Sequence, residues 1–86
     1  MIVELFGSGC AKCRALEDAL RQALDELGMS EDATIYRIQD PASIVGRGVW
    51  RVPGLALDGK VVLRGTAPMT AEVKELLAAA SERAGG

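Results

Sequence analysis

Residues 7–20 read GSGCAKCRALEDAL, a glycine-rich turn running into an amphipathic helix with two cysteines at the junction. Leu16, Leu20, Ala23, Leu24 and Leu27 recur at helical spacing, and Glu17, Asp18, Arg21, Gln22 and Asp25 take the other side. The helix therefore faces a core. Cys10 and Cys13 are the only cysteines in the chain, and three residues' separation at a helix start puts both on one face of its first turn. Thiols so placed are close enough to pass between dithiol and disulfide. Cys10 falls at the helix tip, where unpaired backbone N–H groups and the helix dipole favour a thiolate and the Lys12 ammonium adds to that field. Cys13 begins the apolar stripe and is expected to be more buried and protonated at rest. The pattern suits a nucleophilic thiol backed by a resolving one. A two-thiolate site for a soft metal or metalloid and an inert structural pair are the alternatives.

The elements on either side follow from the same kind of reading. IVELFG (residues 2–7) is a β-rich run delivering the chain to the cysteines. Gly28 stands where a left-handed helix cap is wanted, and ATIYRI (33–38) makes a second strand. Asp40 and Pro41 supply an N-cap and a first-turn proline for a short helix to about Gly46. GLAL (54–57) and VVLR (61–64), separated by Asp58-Gly59, read as a hairpin with a tight turn. A last helix starts at Thr70, with Glu72 near its positive end, and buries Val73, Leu76, Leu77 and Ala80. Pro68 punctuates the loop before it. The order β-α-β-α-β-β-α requires a right-handed parallel crossover followed by an antiparallel hairpin. The expected fold is α/β, a four-stranded mixed sheet flanked by helices on both faces.

A chain of 86 residues holds one modest core, so residues 1–86 are read as a single domain. The formal charge is −2 and no stripe of Lys and Arg is present, which argues against a nucleic-acid partner. No apolar run approaches the roughly 20 residues of a membrane span. Met1 leads into IVELF without a basic region or a cleavage site, so a cytoplasmic location is expected. There a lasting disulfide is unusual, and one closing so short a loop adds little stability. Metal binding by this chain alone would use two thiolates and no histidine, whereas a closed zinc site takes four ligands. Neither a metal nor any other bound cofactor is expected.

Taken together, CAKC after the first strand, GVWRVPGLALDGKVVL (48–63) and the closing TAEVKELL resemble the small thioredoxin-like and glutaredoxin-like redox-active disulfide proteins over nearly the whole chain. The resemblance implies the thioredoxin fold in its minimal form and thiol-disulfide oxidoreductase activity on disulfide-containing protein substrates. It also implies an upstream reductase and a protein acting as a monomer. The middle segment is similar to the Gly-aliphatic-x-x-aliphatic-Pro stretch of thioredoxins, which implies a cis Val52–Pro53 bond with Pro53 facing the dithiol and the Val52 backbone open to a substrate segment. Departures are visible. Thioredoxins have Trp before the first cysteine and Gly-Pro between the pair, where this chain has Gly9 and Ala11-Lys12. Glutaredoxins carry Gly-Gly-x-Asp after the hairpin, where this chain has Gly65-Thr66-Ala67-Pro68.

Other residues have two readings each. Glu4 lies six residues before Cys10, at the offset of a buried Asp in thioredoxins; the resemblance implies a desolvated proton acceptor for Cys13. Alternatively it reaches solvent past the sheet end. Trp50 is either core filler or, with Val52 and Gly9, part of a target-binding surface. Arg47 and Arg51 orient an anionic ligand or are solvated surface charge. A copper-carrier domain of ferredoxin-like fold also places a Cys-x-x-Cys before its first helix, but has Met two residues ahead where this chain has Ser8. A helix between the second strand and the hairpin separates the two folds.

Overall fold

The structure, a computed structural model, describes residues 1–7 and 9–85, with side chains to residue 82; Ser8 in the Gly-Ser-Gly turn lies outside the described residues. The elements are β1 (Ile2–Phe6), α1 (Ala11–Glu26), β2 (Thr34–Ile38), α2 (Pro41–Gly46), β3 (Gly54–Leu57), β4 (Lys60–Arg64) and α3 (Thr70–Gly85). Their order is the expected one. The sheet runs β2-β1-β3-β4, with β1 parallel to β2 and the other pairs antiparallel. β1 is thus internal, and its C-terminal end carries the chain to Cys10 in the middle of the sheet edge.

Alternation along β1 decides the layers. Val3 and Leu5 pack with Leu16, Leu20 and Leu24 of α1 and with Val73 and Leu77 of α3. Phe6, on the other side, packs with Ile44 of α2, Val49 and Ala56. Two helices therefore cover one face and α2 the other. Each fully buried leucine contributes about 2 kcal/mol, so the stripe on α1 holds that helix, with its cysteines, to β1. The helix between β2 and the hairpin is present, which rules out the ferredoxin-like arrangement.

Local chemistry sets the boundaries. Gly28 has φ +69, and the Gly28 and Met29 N–H groups donate to Asp25 and Leu24 carbonyls at 3.1 and 2.8 Å, closing α1 in a Schellman cap. Asp40 caps α2 by accepting from Ser43 N–H at 2.9 Å, and its carboxyl is held below the ordinary range by that bond. Asp58 and Gly59 both have positive φ, 49° and 88°, as the right-handed twist of a two-residue hairpin demands. Asp58 Oδ1 also accepts from Ile2 N–H at 2.8 Å, tying the turn to β1. Opposite Leu55 and Ala56, β4 supplies Leu63 and Val61, leaving Val62 as an extra residue in a bulge. Among the described residues, no helix is long and apolar enough to cross a membrane.

Candidate active site

Gly7 N–H donates to the Ile38 carbonyl at 3.1 Å, extending the β1–β2 pairing one step past the strand and aiming the chain at α1. Cys10 is itself the N-cap of α1, extended at φ −68°, ψ 170°, a position usually filled by a side-chain oxygen. Its Sγ accepts from Cys13 N–H at 3.3 Å. Cys10 is exposed and Cys13 half-buried, and both are free thiols. The Cys10 thiol is held below its ordinary value first by a hydrogen bond from the Cys13 thiol, then by Cys13 N–H; slight burial opposes this, and Lys12 N–H adds to it. Among the groups that favour the Cys10 anion, Lys12 enters through its backbone N–H. Its side chain is exposed to water, which screens the ammonium, while the amides are fixed at the tip.

Gly7 packs directly on the inner cysteine. A methyl group on its Cα would lie 2.5 Å from Cys13 Sγ, 3.3 Å from Cys13 Cβ and 4.0 Å from Pro53 Cα. Cys13, Gly7 and Pro53 consequently meet at one point. The Val52–Pro53 bond is cis. Pro53 is buried and its carbonyl accepts from Gly65 N–H at 2.7 Å. Val52 is exposed in the same loop, and Trp50 is 77 % exposed, so it is not core filler. Gly9 is exposed, at φ +83, beside open space.

Glu4 does not join the cysteines. Its carboxylate accepts two bonds from the Arg47 guanidinium, at 2.6 and 2.9 Å, on the α2 side of the sheet, and Arg47 also lies 5.4 Å from the Phe6 ring centroid. Cys13 instead meets the end of β1 on the α1 side, at Gly7. Arg47 is thus a structural partner of Glu4, with Nη2 reaching the Gly59 carbonyl at 3.4 Å as well, and neither of its sequence readings applies. Arg51 packs its side chain towards Gly65.

A groove of about 370 Å³ opens beside the dithiol, lined among others by Gly7, Cys13, Arg14, Glu17, Arg37 and Pro53. Glu17 forms its wall. It accepts from Arg37 Nε at 2.8 Å and Arg21 Nε at 3.0 Å, with a further bond from Arg37 Nη2. Chiefly because of Arg37, its carboxyl is lowered to about 2. The signal for Gly7 was a glycine directly between strand and dithiol, which reads equally as a turn. The Arg47 and Arg37 pairs carry no signal in one sequence, since their partners lie 43 and 20 residues away. Among the described residues, no group of three or more His, Cys, Asp or Glu is arranged around a metal position.

An exposed thiol capping a helix, a half-buried thiol one turn behind it and a buried cis proline against the same glycine define a dithiol redox site on a four-stranded mixed sheet. Residues 1–78 match the family model described as thioredoxin domain, and the chain belongs to that family. It is 36% identical over 77 residues to a thioredoxin of Methanothermobacter thermautotrophicus, covering 90% of this chain and 97% of that protein. To a thioredoxin of Methanocaldococcus jannaschii it is 34% identical over 77 residues, covering 90% of this chain and 86% of that protein. The chain is a thioredoxin-like disulfide oxidoreductase.

Proposed function

We propose that the protein reduces or exchanges disulfides of protein substrates by a two-thiol cycle in which Cys10 attacks and Cys13 resolves. The observation that carries this reading is the capping geometry: Cys10 Sγ is exposed and accepts hydrogen bonds that favour its anion, while Cys13 is half-buried directly behind it. Cys10 thiolate attacks a target disulfide, forming a mixed disulfide and releasing one target thiolate. Cys13, losing its proton, attacks Cys10 Sγ, releases the second target thiolate and leaves the Cys10–Cys13 disulfide. An upstream reductase returns two electrons to that bond. Val52 and Trp50, exposed ahead of β3, contact the target chain, and Gly9 leaves room for it beside Cys10.

Trapping tests the assignment. Cys13→Ser is expected to accumulate a covalent adduct with a disulfide-containing protein such as insulin, and Cys10→Ser to form none and to lose nearly all reductase activity. Wild-type activity in both single variants would overturn the cycle. The same result accompanied by stoichiometric binding of a soft metal would favour the two-thiolate binding reading instead.

A further inference from the structure

Charge is distributed unevenly along the strand direction. The end remote from the dithiol carries Asp25, Glu26, Glu31 and Asp32, between the close of α1 and the start of β2, and Asp58 in the hairpin turn. The dithiol end carries Lys12 and Arg14 in the opening turn of α1, Arg51 in the loop ahead of the cis proline and Arg64 at the end of β4. All four cations are exposed, and none makes an ion pair among the described residues. Arg51 and Arg64 are fixed on the proline side of the site. Arg51 Cβ lies 2.9 Å from where a Gly65 methyl would stand, Gly65 N–H bonds the Pro53 carbonyl, and Arg64 Nε donates to the Gly48 carbonyl at 3.1 Å. The anions at this end are spent or set back: Asp40 caps α2, Glu17 holds Arg37 and Arg21, and Asp18 lies one turn further along α1 than Arg14. The cations come from three separate segments of the chain, so no basic run shows in the sequence.

We propose that the dithiol end docks an acidic protein segment, with aspartate or glutamate on both sides of the disulfide cysteine that Cys10 attacks. The inference rests on the dithiol cycle and deepens it by naming the class of target. Charge complementarity carries the commitment. An extended segment crossing Cys10 between α1 and the proline loop meets Lys12 and Arg14 on one side and Arg51 and Arg64 on the other, while the exposed Trp50 and Val52 offer apolar contact to the residues next to its cysteine. Each exposed ion contact is weak, but together they set how fast and in which orientation a charged partner arrives. The chain's formal charge of −2 acts in the opposite sense, since the field of the whole molecule favours basic partners. The sign of the preference therefore shows whether the local patch governs docking.

Three peptides provide the test, identical except that the positions flanking a single cysteine are aspartate, serine or lysine. Each cysteine is capped as the mixed disulfide with 5-thio-2-nitrobenzoate. The Cys10 thiolate of the reduced protein bonds to the peptide sulfur, the disulfide bond breaks, and its electron pair leaves on 5-thio-2-nitrobenzoate, whose absorbance gives the rate. Dividing by the rate of the same peptide with 2-mercaptoethanol removes the effect of the flanking charges on the disulfide itself. The aspartate peptide is expected to react about tenfold faster than the serine peptide, at roughly twofold per exposed contact, and the lysine peptide more slowly than both. High salt should bring the three rates together. Arg14→Gln and Arg51→Gln should each lower the aspartate-to-serine ratio about twofold, whereas Asp25→Asn at the remote end should not. Equal normalised rates, a faster lysine peptide, or a ratio indifferent to Arg14 and Arg51 overturns the proposal. So does stronger inhibition of the aspartate peptide's reaction by oligothymidylate than by a cysteine-free acidic peptide of equal charge, which would assign the patch to nucleic acid. In each of those outcomes the release of 5-thio-2-nitrobenzoate leaves Cys10 standing as the nucleophile; a Cys10 that releases none fails the cycle and the proposal together.

Discussion

Gly7 and Cys13 are in such close contact that a single added methyl group on Gly7 would stand 2.5 Å from the Cys13 sulfur. The requirement for glycine here is one of space, set by how tightly α1 is drawn onto the end of β1 by its leucine stripe. The inner thiol is thereby held between strand and helix, and the same methyl position lies 4.0 Å from Pro53 Cα.

Gly7→Ala is accordingly expected to displace Cys13 and cost about 1–3 kcal/mol of stability, the usual penalty of an overpacked site. Denaturant unfolding of the reduced protein measures the cost. The sulfur takes part in the clash, so the cost should shrink in a Cys13→Ala background, a coupling that a double-mutant cycle reads directly. Resolution of a mixed disulfide on Cys10 should slow as well.

The titration of Cys10 separates amide and ammonium contributions. Its midpoint, followed by thiolate absorbance or alkylation rate against pH, should fall below the ordinary thiol value of about 8.5. Cys13→Ala should raise it, because the Cys13 thiol is the first of the groups favouring the anion. Lys12→Gln should leave it nearly unchanged. A clear rise in Lys12→Gln would show that the ammonium adds to the field at the helix tip.

Arg47→Ala strands the Glu4 carboxylate on a largely covered face, where only 16% of that side chain meets solvent. Loss of one partner of such a pair is worse than loss of both. Arg47→Ala should therefore lower Tm by about 5–10 °C, and adding Glu4→Gln should recover part of the loss. The alkylation rate of Cys10 should stay as in the wild type, since the pair lies on the α2 side of the sheet.

Glu17 predicts part of the acid response. Its folded carboxyl titrates at about 2, below the ordinary 4.5, so its pairing with Arg37 and Arg21 stabilises the fold fully above the unfolded value. The contribution disappears as pH falls from about 4.5 towards about 2. Both arginines are more than half exposed, so screening limits it to about 1 kcal/mol. Glu17→Gln should be less stable than wild type at pH 7 and converge with it near pH 2, in urea unfolding at each pH.

What the sequence determined alone was everything carried by local rules. The leucine spacing on α1, Gly28 after its end, Asp40-Pro41 and Asp58-Gly59 each state their conformation through short-range sterics and hydrogen bonding, and all four act as read except at Leu27, which falls at the C-cap of α1 and is exposed because the helix ends one residue earlier. The two-cysteine spacing likewise announced a helix-capping thiol and a more sheltered one behind it. Tertiary structure alone decided how distant residues meet. The bulge at Val62 depends on two strands' relative register, Gly7 on how closely a helix approaches a strand end, and the Arg47–Glu4 and Arg37–Glu17 pairs on which side chains the sheet brings face to face. Long-range pairing leaves no periodicity in one chain. For the same reason the groove beside Cys13, built from β1, α1, the end of β2 and the Pro53 loop, exists only once all four are assembled.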